Sequence, residues 1–442
     1  MILLLATALA GFEPDQLVGS AYSTGDPAPP TAGWLDPELR PLLDEAIAGN
    51  HDLAAVRDAA EIARQSANGV RAALVPSASV DGVWSMSNTD SLAAQGFQTQ
   101  GLADTYQSAT LSLGASWLVD VFGATRLTWR AGRWDAKAAE GDLQAAELSM
   151  ASAVGGAWYD LLAAREQLAI AERQVEASEA LLELVNLRYE RGDATALELL
   201  QQRQEAASTR TSLPAAQLAV RANETVLAVL VGRDPSTAIT TQAALPDLDG
   251  TPSVGAPADL LDARPDLRAA QADLEAAEAR QRAATRAFAP TLAASASTGT
   301  TGRYFDEWAT TESWSVGASA SLPLFSGGAN VAGFQAARAG RSAAEHGLAS
   351  AYLSAVQEVE LSLAQEAQAR ATATAAAAQL DAARLAFDEA RRQYADGLTS
   401  YLTVLSTHQA FRGAELTDLS ARRDVISARI SLLDALGAGL LE

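Results

Sequence analysis

Cysteine is absent from the chain, so disulfide bonds, thiolate nucleophiles and cysteine-ligated metals are excluded. Aromatic residues are 6% of the 442 positions, and the formal net charge at pH 7 is −22. Because phosphate backbones require a basic surface, this charge excludes nucleic acid as the main partner. The histidines His51, His346 and His408 lie far apart in helical stretches without ligand-type spacing, which predicts solvated histidines and no metal site.

Long apolar runs are also absent. No window holds roughly eighteen or more uninterrupted apolar residues, so the sequence predicts no transmembrane helix, and a membrane crossing would have to use β-strands. Residues 1–10 form a short apolar run that ends in Ala8-Leu9-Ala10, the pattern of a signal-peptide cleavage site. This run predicts the remnant of a signal peptide and export from the cytoplasm.

Long stretches contain little besides Ala, Leu, Glu, Gln and Arg, which is the composition of long helices and coiled coils. Between about 125 and 189, apolar residues that recur every seventh position indicate a helix roughly 95 Å long with a coiled-coil seam. The series consists of Val154, Leu161, Leu168, Val175, Leu182 and Tyr189. Gly192 ends this helix, and a returning helix is predicted up to Gly232, with a kink or a division at Pro214.

The chain is an internal duplication with an offset of 205 residues, which is the separation between Gly192 and Gly397. Both glycines close a Tyr-x-x-Gly turn, and the same offset places residues 117–123 on residues 322–328. The second half therefore repeats the plan of the first, with a long helix over about 329–394 and a returning helix after Gly397.

Each half begins with two segments in which apolar and polar residues alternate, the pattern of a strand with one apolar and one polar face. Residues 76–87 and 108–120 show it in the first half, and segments near Leu292 and Trp314 show it in the second. Each strand would be roughly 35–40 Å long, whereas a membrane-spanning strand needs only about 9–11 residues. A soluble sheet remains an alternative, but the small side chains of the polar face favour a channel lumen.

These patterns divide the chain into eight segments. The predicted boundaries are 1–10 (signal-peptide remnant), 11–75 (N-terminal linker and helices), 76–120 (first β-hairpin), 121–232 (first long helical hairpin), 233–265 (inter-repeat equatorial segment), 266–289 (helix), 290–323 (second β-hairpin) and 324–442 (second long helical hairpin and C-terminus).

Four amphipathic strands cannot close a barrel, and an open sheet edge is not viable in lipid because its backbone groups would lack hydrogen-bond partners. Closure therefore requires several copies of the chain. Three copies would give about twelve strands around a lumen, although the physical rules do not fix the number at three.

Several segments resemble one protein family. Residues 212–215 (SLPA), 227–232 (LAVLVG), 263–270 (ARPDLRAA) and 287–290 (AFAP) are similar to its helix-kink, helix-end, second-half and strand-start motifs. Together with the two Tyr-x-x-Gly turns, they make the chain similar to the outer-membrane efflux proteins of the TolC/OprM type, most closely the NodT-like subunits. The resemblance covers roughly residues 25–437.

The resemblance implies a fold that is mainly α with a transmembrane β part: a tandem duplication of a β-hairpin plus a long helical hairpin. It implies a homotrimer with a twelve-stranded β-barrel in outer-membrane lipid, continued by a periplasmic α-barrel. The helix turns would dock on a periplasmic adaptor that couples the channel to a proton-driven inner-membrane pump. Such a channel conducts small molecules, for example drugs or metals, passively, and it needs no cofactor.

The resemblance also assigns roles to the two helix turns. Adaptor docking falls on Arg188, Tyr189, Arg191, Gly192, Asp193, Arg392, Tyr394, Asp396 and Gly397. A periplasmic gate falls on Tyr394, Tyr401, Leu402, Thr403 and Ser406. The family's acidic ring corresponds here to Thr403 and Ser406, neither of which is acidic, so a polar or leucine constriction is expected.

The N-terminus departs from the family in one respect. Many relatives carry a lipobox that ends in cysteine, but residues 9–12 of this chain are LAGF. Phe12 stands where the lipidated cysteine would be, so lipidation is excluded and anchoring is expected to depend on the barrel alone.

Other interpretations stay open at this stage. A type I protein-secretion channel would share the architecture and differ in the pump that it serves. A periplasmic coiled-coil scaffold without a pore would explain the heptads but not the four long strands. An enzyme would need a nucleophile, a metal cluster or a phosphate loop, and no motif of the chain supports one.

Overall fold

The structure is a computed structural model that describes residues 22, 36–88, 90, 105–248, 250, 254–304 and 308–438. The predicted signal-peptide remnant and Phe12 lie outside the described residues. The chain divides into two compact units. Unit one contains residues 1–58, 141–268 and 349–442, and unit two contains residues 59–140 and 269–348.

The first half contains two short helices, a β-hairpin and a long helix that is followed by two returning helices. In chain order these are α1 (Leu39–Gly49), α2 (His51–Ala72), β1 (Ser77–Asn88), β2 (Thr105–Val119), α3 (Ala124–Arg191), α4 (Ala196–Arg210) and α5 (Ser212–Leu230). A short 3₁₀ turn at Pro257–Asp259 then leads to the second half.

The second half repeats this order with one returning helix in place of two. Its elements are α6 (Leu260–Ala263), α7 (Pro265–Arg286), β3 (Thr291–Tyr304), β4 (Trp308–Ser321), α8 (Ala329–Ala395) and α9 (Tyr401–Ala435). The predicted tandem repeat of a hairpin followed by long helices is confirmed by this order.

The division of the first returning helix lies three residues before Pro214. Helix α4 ends at Arg210 and α5 begins at Ser212, so the predicted division is confirmed. Proline has no backbone N–H, so it is tolerated in the first turn of a helix but not in its interior. The hydroxyls of Thr211 and Ser212 donate to the carbonyls of Ser208 and Thr209 at 2.7 Å each, which gives two carbonyls at the break a partner.

The four strands form one antiparallel sheet in the order β1-β2-β3-β4. Ser79, Gly114, Ser297 and Ser315 face one another across the sheet, and the next row consists of Val80, Leu113, Thr298 and Trp314. Because neighbouring residues of a strand point to opposite faces, the register collects small polar side chains on one face and larger apolar ones on the other.

The polar face is linked by hydroxyl hydrogen bonds from strand to strand. They join Ser77 to Ser116 at 3.0 Å, Ser85 to Ser108 at 2.8 Å, Thr110 to Thr301 at 3.1 Å and Ser297 to Ser315 at 2.9 Å. On the apolar face, large side chains are exposed within the single chain, and they include Val80, Trp84, Leu111, Leu113, Trp314 and Val316. Water is an unfavourable solvent for such a face.

The core of unit one gathers apolar side chains from four helices. Leu39 of α1, Trp158 of α3, Leu227 of α5 and Ile430 of α9 belong to one buried cluster. Each large apolar side chain buried in this way contributes about 1.5–3 kcal/mol of burial free energy. This packing fixes the long helices of unit one against one another.

Small residues allow close helix approach in unit two. A Cβ placed on Gly132 of α3 would lie 3.4 Å from the Cα of Ala67 in α2. Ala138 of α3 is buried in a cluster with Ala269 and Ala272 of α7. Among the described helices, none combines the length and the apolar character that a membrane crossing requires.

Candidate gate and docking site at the helix turns

The turns that follow α3 and α8 have the same backbone geometry. Gly192 and Gly397 adopt φ values of 81° and 76°, a left-handed conformation that side-chain-bearing residues adopt at a cost. The N–H of Asp193 donates to the carbonyl of Arg188 at 2.9 Å, and the N–H of Leu398 donates to that of Gln393 at 2.7 Å. Both helices therefore end in the glycine-dependent motif that satisfies the last helical carbonyls.

The helices that leave the turns begin with different caps. In the first turn, the Thr195 hydroxyl accepts from the N–H of Glu198 at 3.2 Å, and the Glu198 carboxylate accepts from the N–H of Thr195 at 3.0 Å. In the second turn, Ser400 caps α9, and Thr403 stands at the position that corresponds to Glu198. Only the first turn thus has the reciprocal capping box.

Arg188 connects the two turns. Its guanidinium donates to the backbone carbonyl of Tyr394 in the second turn and to that of Asp193 in its own turn. The same guanidinium lies 4.4 Å from the centre of the Tyr394 ring, which adds a cation–π contact. A side chain at the end of α3 is therefore bonded to the end of α8.

Tyr394 and Tyr401 are buried inside the tip. Their rings are 6.1 Å apart in an edge-to-face arrangement, and both belong to a buried cluster with Val185, Phe387 and Val404. Burial raises the pKa of both hydroxyls, so each tyrosine stays neutral.

The two tyrosine hydroxyls differ in their partners. The Tyr401 hydroxyl donates to Gln202 at 2.8 Å, and the Gln202 amide donates to the Ser178 carbonyl at 2.9 Å. The Tyr394 hydroxyl has no hydrogen-bond partner among the described residues. Tyr401 therefore joins α9 to α4 and α3, whereas Tyr394 contributes its ring.

The structure separates the predicted gate residues into two groups. Tyr394 and Tyr401 are 2% and 1% exposed, whereas Leu402 is 66% exposed and Thr403 and Ser406 also face outward. The exposed residues can meet another chain or solvent. The tyrosines are instead enclosed in the packing of the tip.

The predicted docking residues are mostly exposed. Apart from the buried Tyr394 and the partly buried Arg188, the set consists of Tyr189, Arg191, Gly192, Asp193, Arg392, Asp396 and Gly397. The Arg392 guanidinium pairs with Glu389 of its own helix at 2.7 Å, and both side chains are solvated. The two turns thus present aromatic, cationic and anionic groups together.

A buried polar cluster beyond the turns was not predicted from the sequence. The apolar residues Leu405, Leu419, Ile426 and Leu433 fall on a seven-residue repeat there, and Arg412 interrupts it. The Arg412 guanidinium lies 2.6 Å from Glu205 and donates to the Thr209 hydroxyl at 2.9 Å and to Gln174 at 3.2 Å. Gln174 and Glu415 add a further hydrogen bond of 2.8 Å. The arginine at an apolar position of a seven-residue repeat was the only feature of the sequence that could have indicated this cluster.

His408 corrects one prediction. It is 1% exposed, not solvated, and its ring stacks on Phe387 with centroids 4.8 Å apart. Burial, aided by the positive charge of Arg412, lowers the pKa of His408 to about 4. His51 and His346 are exposed as predicted, and no group of acidic and histidine residues suited to a metal ion occurs in the described part of the chain.

Repeated hairpins joined to long antiparallel helices define the class of outer-membrane channels of the TolC type. One solved structure, of the outer-membrane channel OprN, superposes with a TM-score of 0.83 at 24% identity and covers 96% of this chain and 97% of that one. The model of the family described as outer membrane efflux protein matches residues 42–233 and 256–438. The chain belongs to this family, which confirms the resemblance noted in the sequence.

Two relatives illustrate the family. The pyoverdine export outer membrane protein OpmQ of Pseudomonas aeruginosa is 30% identical over 91% of this chain and 85% of its own length. Nodulation protein T of Rhizobium leguminosarum bv. viciae is 25% identical over 76% of this chain and 71% of its own length. The chain is an outer-membrane component of an efflux system, with its helical part in the periplasm.

Proposed function

We propose that three copies of the chain form a passive duct that conducts small molecules across the outer membrane. The main support for this proposal is the sheet, which has one exposed apolar face, one face of small hydroxyl groups and two open edges. Hydrocarbon suits the apolar face, and a water-filled lumen suits the polar face. Neighbouring copies supply hydrogen-bond partners to the edge strands β1 and β4.

In this proposal, the segments of the chain are divided between the membrane and the periplasm. The hairpins 76–120 and 290–323 lie in the membrane, and the helical hairpins 121–232 and 324–442 lie in the periplasm. The segment 233–265 joins the repeats, while residues 11–75 and the helix 266–289 precede the two hairpins. The chain is a passive conduit in this proposal, and transport energy comes from an inner-membrane pump, which the resemblance to the family implies is proton-driven.

The gate of this duct is the exposed set Leu402, Thr403 and Ser406 at the start of α9. Copies related by a threefold axis bring these side chains together around the axis, where leucine and hydroxyl groups form the constriction. The buried pair Tyr394 and Tyr401 positions α9, and Arg188 holds the second turn against the first. The gate is therefore controlled by packing and hydrogen bonds instead of by an acidic ring.

Single-channel recording of the purified protein in planar lipid bilayers tests the duct and the gate. We expect Arg188→Ala to raise the fraction of time that the channel is open, because the bonds from α3 to the Tyr394 carbonyl are lost. Arg191→Ala is the matched control, since this arginine is exposed on the same helix. Absence of conductance from the folded wild-type protein and also from folded Arg188→Ala would overturn the proposal.

Ion selectivity provides a second measurement at the gate. Thr403→Glu places a carboxylate in each copy at the proposed constriction, so the reversal potential in a salt gradient should move toward that of the cation. Thr403→Gln has nearly the same size without the charge and should leave the reversal potential unchanged. An equal response of the two variants would mean that Thr403 does not line the pore.

Docking of a periplasmic adaptor is proposed for the remaining exposed tip residues Tyr189, Arg191, Asp193, Arg392 and Asp396, with the turn glycines Gly192 and Gly397. Charge reversal by Arg191→Glu and Arg392→Glu should weaken co-purification with the co-expressed adaptor and leave bilayer conductance unchanged.

The transported substrate distinguishes the second candidate function. A type I secretion channel would support export of a protein substrate, and an efflux channel would restore resistance to small toxic compounds.

A further inference from the structure

Unit two contains a strongly basic groove in a chain whose net charge is −22. The groove has a volume of about 950 Å³ and lies between α2 and the beginning of α3. Six cationic side chains line it against one carboxylate, Glu140, and they are Arg64, Arg71, Arg126, Arg130, Arg133 and Lys137. Lys137 is the only lysine of the chain.

Four of these cations have no carboxylate within 4.0 Å in the part of the chain that the structure describes: Arg71, Arg130, Arg133 and Lys137. Arg71 and Arg133 lie over the Trp129 ring at 5.8 and 5.4 Å, and Lys137 lies over Trp134 at 4.7 Å. Like charges gathered in this way repel one another unless an anion occupies the groove.

The two helices of the groove adjoin the first β-hairpin, which is the proposed membrane part of this repeat. Helix α2 ends five residues before β1 begins, and α3 begins five residues after β2 ends. The connecting residues expose large apolar side chains, namely Val75, Val121 and Phe122. Along α3, positions 126–133 lie roughly 3–14 Å from the first residue of the helix. A headgroup layer about 5–8 Å thick borders the hydrocarbon, so the first turns of α3, up to about Trp129, fall within this thickness. Helix side chains point toward the helix N-terminus, so the long side chains of Arg130 and Arg133 reach back toward the layer.

The second repeat carries its cations differently, since Arg280, Arg282 and Arg341 of the corresponding helices are paired with carboxylates. At the offset of 205 residues, Val331, Gln335 and Ser342 stand at the positions of Arg126, Arg130 and Lys137, and Arg338 alone preserves a charge. The fold of a repeat therefore does not require the basic side chains. A function specific to the first repeat accounts for them.

We propose that this groove binds the phosphate of anionic phospholipid headgroups in the periplasmic leaflet of the outer membrane. Guanidinium groups match phosphate oxygens with paired hydrogen bonds, and tryptophan favours the boundary between hydrocarbon and headgroups. The bound lipid places its chains beside the exposed apolar residues Val75, Val121 and Phe122. The inference depends on the outer-membrane location of the strands and not on the transported substrate.

Native mass spectrometry of the detergent-solubilised full-length protein tests the inference. The protein is equilibrated in micelles doped with equal amounts of dioleoyl phosphatidylglycerol and dioleoyl phosphatidylcholine, and retained lipids are counted. The wild type should retain phosphatidylglycerol preferentially. The variant Arg130→Gln/Arg133→Gln should reduce that preference by about tenfold or more, because each cation near an anionic surface contributes a severalfold increase in binding.

Two matched variants make the result specific. Arg203→Gln/Arg338→Gln removes the same charge from exposed positions outside the groove and should keep the wild-type preference. Arg130→Lys/Arg133→Lys keeps the charge and should retain most of the preference for phosphatidylglycerol. Equal retention of the two lipids by the wild type, or loss of the oligomer in the glutamine variant with no change in lipid preference, would overturn the proposal, and the second result would identify the groove as a contact between copies.

Discussion

Arg429 and Glu366 form an ion pair that is almost completely removed from water. Their closest atoms are 2.6 Å apart, with side-chain exposures of 6% and 3%, and Arg429 also donates to the Gly250 carbonyl at 2.8 Å. Glu366 also pairs with Arg370 at 3.1 Å, so Arg429→Met removes the more deeply buried of its two arginine partners. The loss in free energy of unfolding should therefore be smaller than the about 3–5 kcal/mol that breaking a whole buried pair typically costs. Urea titration of the detergent-solubilised protein, followed by circular dichroism, measures this loss.

Two control variants test whether the loss of stability comes from the burial of this ion pair. Arg429→Met/Glu366→Met removes the buried carboxylate together with Arg429 and should recover part of the loss, since the remaining Arg370 is partly exposed and keeps its hydrogen bonds to the Leu248 and Gly250 carbonyls. Arg210→Met breaks a pair with Glu179 that is 2.7 Å apart but exposed, and it should change stability by less than about 1 kcal/mol. Similar losses in Arg429→Met and Arg210→Met would contradict the role of burial.

His408 makes the tip sensitive to acid. Its pKa in the folded protein is lowered from 6.5 to about 4, so the unfolded chain binds the proton more readily. The contribution of neutral His408 to the free energy of unfolding is fully present above about pH 6.5. It falls by up to about 1.4 kcal/mol per pH unit down to about pH 4. His408→Phe keeps a ring against Phe387 and should remove this part of the acid dependence.

Thermal unfolding at pH 7.5 and pH 4.5 measures the difference. Other groups titrate over the same range, so the quantity to compare is the change between the two pH values in the variant and in the wild type. The charged groups around His408 from the surrounding helices are Arg173, Glu205, Asp381, Arg384, Arg412 and Glu415. If both proteins lost the same stability on acidification, the burial of neutral His408 would not be the cause.

At the scale of elements, the caps of α4 and α9 differ in strength. Thr195 and Glu198 exchange two hydrogen bonds, whereas Ser400 accepts a longer one of 3.4 Å from the N–H of Thr403. Thr195→Ala should cost about 0.5–2 kcal/mol and Ser400→Ala less. Hydrogen exchange of the first amides of α4 should accelerate by about tenfold in the first variant. Equal effects in both turns would contradict the contribution of the capping box.

The elements themselves could be predicted from the sequence because their signals are local. A period of seven residues specified α3, alternation specified β1 to β4, and the position of Pro214 specified the break between α4 and α5. The pattern could not predict that Arg412 is paired, since its partner Glu205 lies 207 residues away in the chain. The seven-residue repeat of α9 showed only that an arginine is unusual at position 412.

At the scale of the whole molecule, the open edges of the sheet predict that neighbouring copies pair through β1 and β4. The chain has no cysteine, so an engineered pair is the only possible disulfide. Ser85→Cys on β1 with a cysteine in place of Ser313 or Ser315 on β4 should cross-link neighbouring copies under oxidation, because all three positions share the polar face.

The expected readout is a ladder of bands on a denaturing gel that ends at the trimer. Val316→Cys in place of the β4 polar-face cysteine is the control, since Val316 lies on the apolar face and its side chain is directed away from Ser85. A ladder that ends at another number would replace three as the proposed stoichiometry. Cross-linking by Val316→Cys would instead contradict the assignment of the faces.

The sequence by itself determined the repeat, the helices, the strands and their two faces, because each depends on the spacing of residues along a short stretch of chain. Only the tertiary structure decided which tip residues are buried. Tyr394 and Tyr401 are enclosed because α3, α4, α8 and α9 meet around them, and Arg188 reaches a carbonyl 206 residues away. The basic groove has the same origin, since α2 and α3 bring together cations that the sequence separates by β1 and β2. Contacts of this kind depend on the return path of the chain, which local periodicity does not record.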